Sequence, residues 1–201
     1  VTPQHIGLFL DRDGTINQEV DFLSKPEEVI LIPKAADAIR EANELGLKVC
    51  IVSNQSGIAR GLLTTDDLER VNARLTELLA NEGARIDGIY YCPHHPDVGP
   101  PLYRKECTCR KPKTGMIIQA AREHSIDLHS SYVIGDRCID VQAGHNAGCG
   151  TVLVLTGYGR MEKDECLQTM KVGHIADDLY QGWVHIKTRV SSKHVGSQRE
   201  V

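Results

Sequence analysis

The sequence predicts an α/β protein with a central parallel sheet and helices on both faces. Three observations predict it. Short apolar runs alternate with segments of helical periodicity along most of the chain, the order expected of strand–helix–strand units. Each apolar run ends in polar residues that carry chemistry, and in parallel sheets ligands gather outside the carboxyl ends of the strands. The length of 201 residues suits one core, and 41% hydrophobic content can fill it.

The elements follow in order. Residues 6–10, IGLFL, form an apolar run that reads as a strand. Residues 35–45 set Ala35, Ala38, Ile39, Ala42 and Leu45 at helical spacing, and Gly46 offers a stop. Residues 47–52, LKVCIV, have the β-branched, apolar character of a buried strand. Residues 65–81 form a longer amphipathic helix on Leu68, Val71, Leu75, Leu78 and Leu79, opened by the cap-rich TTDD. A third strand is expected over 88–91. Residues 93–112 are proline-rich and without period, so they form a loop. Helices over 114–124 and 139–147 and strands over 132–134 and 151–155 complete the pattern. Residues 157–172 read as either a mobile loop or a short helix. One domain is expected over 1–190, with a frayed polar tail over 191–201.

Composition narrows the function. A net charge of −4 gives no basic field toward nucleic acid or membrane. Aromatic residues at 4% do not make a base-stacking surface. No apolar run reaches the roughly 18–20 residues of a membrane span, and VTPQHIGLFL lacks a charged n-region and cleavage site. Seven cysteines cannot all pair, so a cytoplasmic protein is expected. Cys50, Cys138, Cys149 and Cys166 stand singly and are read as core or surface thiols. No long apolar stripe is left over, so a monomer is expected.

The polar strand ends form a set. The first strand closes in LFLDRDGT, with Asp11 and Asp13 two apart. In extended chain such residues project to one side, although a turn at Gly14 can change this. Neighbouring carboxylates repel unless a cation lies between them, and Mg²⁺ prefers such oxygen ligands. Ser53, Asn54, Gln55 and Ser56 follow the second strand, Cys92 and His94 the third, and Asp136, Arg137 and Asp140 the fourth. A carboxylate can accept a phosphoryl group while its partner moves protons. Phosphoryl transfer also needs donors and cations about the phosphate, which Ser53, Lys111, Arg110 and Arg137 supply.

The loop carries a second constellation. Cys92 and His94 are followed, after twelve residues, by Cys107 and Cys109. Three thiolates and an imidazole make a closed tetrahedral set for structural Zn²⁺, and a metal clip would order a loop that lacks a core. On spacing alone His95 serves as well as His94. Cys109 directly precedes Arg110 and Lys111, so the clip is expected to fix the segment that delivers both cations.

DRDGT, VSN, CRKP and GDRCID together resemble the four motifs of the haloacid dehalogenase-like (HAD) phosphatases, over roughly residues 6–185. The resemblance implies a Rossmann-like fold and an aspartyl-phosphate mechanism. It implies Asp11 as nucleophile, Asp13 as general acid/base, Ser53 as phosphate donor and Lys111 as charge stabiliser. Asp136 would join Asp11 and a main-chain oxygen of Asp13 at Mg²⁺, with Asp140 as an orienting carboxylate. NQSGIARG, YYCPHHP and CTCRKP are further similar to a zinc-containing branch of sugar bisphosphate and histidinol-phosphate phosphatases. That likeness favours His94 as the zinc ligand. It implies that Ser53, Asn54, Gln55, Ser56, Arg110, Lys111 and Arg137 hold substrate, and NQSGIARG favours the sugar. The 41 residues between Asp11 and Ser53, and the 57 between Ser53 and Lys111, leave no room for a large cap domain. NQEVDFLSKPEEV departs from the substrate loop of the best-known members, so residues 19–22 carry no assigned role and the sugar's anomer is left open. The expected activity is Mg²⁺-dependent hydrolysis of a small phosphorylated sugar. A non-catalytic phosphosugar-binding module is the reading from another class.

Overall fold

The computed structural model describes residues 5–197. Six parallel strands, β1 (His5–Leu10), β2 (Lys48–Asn54), β3 (Gly88–Cys92), β4 (Ile126–Gly135), β5 (Gly150–Val154) and β6 (His174–Ala176), lie in the order β3-β2-β1-β4-β5-β6. The chain winds outward from β1 in both directions, so the carboxyl ends of β1, β2 and β4 meet where the winding reverses. That reversal opens the crevice where such sheets bind ligands.

Strand alternation builds two core layers. Leu8, Leu10, Val49, Ile51 and Ile134 face one layer, which takes in α1 (Ala35–Glu44), α2 (Thr65–Asn81) and α6 (Leu179–Ser197). Phe9, Cys50, Val52 and Val133 face the other, against α3 (Gly115–Glu123) and α4 (Cys138–Ala147). Successive side chains of a strand point to opposite faces, and strands covered on both sides are apolar throughout. The helix α2 starts at a reciprocal cap, with Thr64 and Asp67 each accepting from the other's backbone N–H. Between β1 and β2 there are only a 3-10 turn, Pro26–Glu28, and α1, so no large cap is inserted.

The structure corrects or narrows the sequence reading in four places. First, β4 starts at Ile126, well before residue 132, because the polar IDLHSS hides its strand pattern. Second, of the two readings open for residues 157–172, the helix is the one that forms, as α5 (Gly159–Thr169). Third, β6 and α6 extend the fold. A three-residue strand has no period to read, but Leu179, Trp183, Ile186 and Val190 are buried at helical spacing. The helix α6 reaches Ser197, inside the stretch expected as a polar tail, and residues 198–201 lie outside the described residues. Fourth, Cys138 and Cys166 are not lone thiols. They form a disulfide, Cα to Cα 5.3 Å, between α4 and α5, which 28 residues of sequence separation conceal. Among the described residues no helix is long and apolar enough to cross a membrane.

Candidate active site

The ends of β1, β2 and β4 converge on one cavity of about 270 Å³, lined by Asp11, Asp13, Ser53, Gln55, Lys111 and Arg137 among others, while Cys92 and His94 at the end of β3 lie outside its lining. A wider groove of about 780 Å³ between Lys113 and Arg122 holds none of these residues.

Lys111 occupies the cavity floor. Its Nζ lies 2.9 Å from Asp11 Oδ1 and 2.7 Å from Asp140 Oδ1 and donates to the Val52 carbonyl at 2.7 Å. Burial alone depresses a lysine pKa, yet Asp11 and Asp140 hold Lys111 above its ordinary value. The end of β2 holds the Lys111 backbone. Asn54 accepts from Lys111 N–H at 3.0 Å and donates to its carbonyl at 3.1 Å. The Asn54 amide, expected to meet substrate, is therefore engaged in positioning Lys111.

Asp11, Asp136 and Asp140 present carboxylate oxygens within 4.8 Å of one another, all buried. Burial, reinforced by Asp11 and Asp140, pushes Asp136 up to about 8. Burial also raises Asp140 to about 6, against the pull of Lys111. Asp136 Oδ1 is buried without a hydrogen-bond partner. Gly14, at φ +75°, and Gly157 pack against Asp136 Oδ2 where a Cβ would collide with it. An orphaned oxygen in a carboxylate cluster fits a divalent cation, which would offset the repulsion. Asp140 is also spent on the start of α4, where its Oδ2 accepts from Arg137 N–H at 3.0 Å.

The Asp13 side chain stands apart from that cluster. β1 ends at Leu10, and the turn through Gly14 removes the strand alternation. Asp13 accepts from Arg12 Nη2 at 2.8 Å, Asn17 Nδ2 at 2.9 Å and Gln55 Nε2 at 3.0 Å. Burial opposes its charge, but the Arg12 guanidinium and these hydrogen bonds hold its pKa below the usual carboxylate value. Arg12, itself buried, is tied to Asn72 at 3.0 Å. The sequence reading gave Arg12 no part, although its place between the two aspartates was the signal. Gln55 also donates to Ser53 Oγ at 2.9 Å, which leaves the serine hydroxyl proton for another acceptor. Glu19, left without a role, lines the cavity and is pushed to about 7 by burial and by Asp13 and Asp11.

Cys92, His94, Cys107 and Cys109 gather in the loop beyond β3. Their ligand atoms all lie within 4.8 Å of one another, with Cys109 Sγ 3.1 Å from Cys92 Sγ and Cys92 Sγ 3.7 Å from His94 Nδ1. These are near the edge lengths of a tetrahedral metal site of sulfur and nitrogen. His95 is turned elsewhere, with its Nδ1 accepting from the N–H of Asp97 and Val98. Arg110 Nη1 donates to the His94 carbonyl at 3.1 Å, which ties the cluster to the cavity wall.

Comparison with known proteins agrees with this geometry. Residues 108–181 match a family model described as HAD-hydrolase-like. The chain is 44% identical over 181 residues to D-glycero-D-manno-heptose-1,7-bisphosphate 7-phosphatase of Chlorobaculum tepidum, covering 87% of this chain and 90% of that one. It is 42% identical over 151 residues to D-glycero-beta-D-manno-heptose-1,7-bisphosphate 7-phosphatase of Escherichia coli K12, covering 75% and 79%. The crystal structure of D,D-heptose 1,7-bisphosphate phosphatase from B. bronchiseptica, complexed with magnesium and phosphate, superposes with a TM-score of 0.81 at 35% identity, covering 92% of this chain and 99% of that one. With relatives this similar matched over most of their length, the chain belongs to the heptose-1,7-bisphosphate 7-phosphatase family of HAD-like hydrolases.

Proposed function

We propose that this chain is a Mg²⁺-dependent phosphomonoesterase that removes the C7 phosphate of D-glycero-D-manno-heptose 1,7-bisphosphate. It would act in the cytoplasm as a monomer, with residues 1–190 as one catalytic domain, in the supply of nucleotide-activated heptose. The observation that carries the reading is the buried Lys111 between Asp11 and Asp140, beside Asp136 and at the floor of a small open cavity.

A carboxylate oxygen of Asp11 attacks phosphorus, the bond from phosphorus to the sugar oxygen breaks, and an aspartyl-phosphate forms. Asp13 gives its proton to the leaving oxygen. It then takes one from the water that attacks the phosphorus and frees Asp11. Asp13 is held ionised by Arg12 here, the state that suits the second half. To act as acid in the first half it must leave Arg12, whose charge holds its pKa down, take up a proton from solvent and carry it to the leaving oxygen. Lys111 and the Ser53 hydroxyl stabilise the phosphoryl oxygens. Asp11, Asp136 and a main-chain oxygen of Asp13 would hold Mg²⁺, which supplies positive charge to the phosphoryl group. Asp140 orients Lys111. Cys92, His94, Cys107 and Cys109 would hold a structural Zn²⁺ that fixes Arg110 and Lys111.

The test is phosphate release with Mg²⁺ from both anomers of heptose 1,7-bisphosphate, beside histidinol phosphate. Release of one phosphate from one anomer is expected. Preference for histidinol phosphate moves the substrate and keeps the chemistry, and binding without release supports the non-catalytic module.

A further inference from the structure

Arg137 caps α4 and reaches the cavity rim, its side chain 45% exposed where that of Lys111 is 2% exposed. Two groups hold it. Its Nε donates to Glu162 Oε1 at 2.7 Å, and its guanidinium lies 4.9 Å from the centroid of the Tyr158 ring. Among the described residues neither Nη group has a hydrogen-bond partner, so both remain free to meet a ligand. Glu162 Oε2 accepts from Cys138 N–H at 2.7 Å, so one carboxylate grips both the arginine side chain and the first turn of α4. Cys166, four residues on along the same face of α5, is bonded to Cys138. The helix α5 thus holds α4 at two neighbouring points. Cys138, Glu162 and Cys166 are close enough to share a metal, but both carboxylate oxygens are accepting and the sulfurs are joined to each other.

We propose that Glu162 is a positioning residue for Arg137, pinned by the Cys138–Cys166 disulfide, and that reducing this disulfide weakens the enzyme's grip on the substrate end remote from the reacting phosphate. The proposal rests on the phosphatase reading above. Chemistry occupies the buried floor, so a cation at the rim meets the far, anionic end. A guanidinium held at Nε keeps a fixed fork for that anion, and the entropy of ordering it is lost before binding rather than during it. Disulfides in reducing compartments are commonly redox-responsive. Opening this one needs two electrons, which a thioredoxin-class dithiol supplies. Its two S–H groups become a disulfide, the Cys138–Cys166 bond breaks, and each protein sulfur takes a proton.

The test is steady-state kinetics on the full chain with heptose 1,7-bisphosphate and with an aryl phosphate that has no second anion. Glu162→Gln is expected to raise KM for the bisphosphate about tenfold with kcat within about twofold. It should leave the aryl phosphate unaffected and add nothing in an Arg137→Ala background. Dithiothreitol should raise KM severalfold in the native enzyme and not in the Cys138→Ser, Cys166→Ser double variant. Glu162 also subtracts from the charge at the rim, so an unchanged or lowered KM in Glu162→Gln overturns positioning, as does an equal effect on both esters. Unchanged KM on reduction overturns the pin. If the native chain leaves the bisphosphate uncut, the substrate reading fails by itself. The Arg137 Nε–H signal in nitrogen-15 spectra then decides the clasp: protection from exchange that is lost in Glu162→Gln supports it, and no protection in either protein overturns it.

Discussion

At Lys111 an ammonium group shielded from water lies against two carboxylates and a backbone carbonyl. Removing one partner from a buried charge set leaves the others uncompensated, at about 3–5 kcal/mol. Lys111→Met is therefore expected to lower unfolding free energy by about that much in urea titration and to abolish phosphate release. Asp11→Asn behaves differently. It keeps the side chain's shape, and the charge it takes from Lys111 is offset by relief of the crowding at Asp136, so turnover should vanish while the fold and any metal held by the cysteine cluster are retained. Full turnover in that variant would remove the covalent mechanism. At this scale LFLDRDGT was legible as paired carboxylates, because residue type and spacing carry that chemistry. Which way Asp13 faces was not legible, because the turn at Gly14 and the buried Arg12–Asn72 contact decide it.

The loop between β3 and α3 has little apolar core, and its end is docked on β2 through Asn54. Stripping the Cys92–His94–Cys107–Cys109 cluster with a chelator is expected to release this segment and with it Lys111. Activity should be lost while far-ultraviolet circular dichroism keeps the signature of the sheet and helices. Full turnover without the metal would separate the cluster from catalysis. The disulfide makes a further prediction for α4 and α5. Closing a loop of 28 residues restricts the unfolded chain by about 3–4 kcal/mol, so the Cys138→Ser, Cys166→Ser variant should unfold at correspondingly lower denaturant. The loop's cluster was legible because its ligands come as two close pairs. The disulfide was not, because two lone cysteines far apart in sequence meet only after α5 packs on α4.

For the molecule as a whole, the sheet concentrates carboxylates at one crevice, and pH should report it. The pKa of Asp136 is raised from 3.8 to about 8 in the folded state. The folded chain therefore binds this proton more tightly than the unfolded chain. The associated stability is fully present below about pH 4 and is lost as pH climbs through 8. Without Mg²⁺ this group makes the protein less stable at pH 8 than at pH 5.5. A cation competes with that proton, so Mg²⁺ should raise Tm more at pH 8. At about 100-fold over its Kd the ion contributes about 2.7 kcal/mol, or about 5–10 °C for a domain of this size. An equal shift at both pH values in a calorimetric scan would argue against Mg²⁺ at this cluster. Trp183, fully buried in α6 and donating to Glu41 Oε2 at 3.0 Å, ties the last helix to α1. Trp183→Ala is expected to cost about 3–5 kcal/mol.

The sequence by itself determined the alternating strands and helices, the polar strand ends and the kinds of chemistry they carry. Periodicity, residue type and short spacings are local properties, and local properties survive in a linear string. Only the tertiary structure decided that β6 completes the sheet, that Asn54 serves Lys111, that Cys138 meets Cys166, and that Glu162 grips Arg137. Each of these is a contact between segments far apart in the chain. Such contacts are selected by how the two core layers close around β1, which no window of sequence contains.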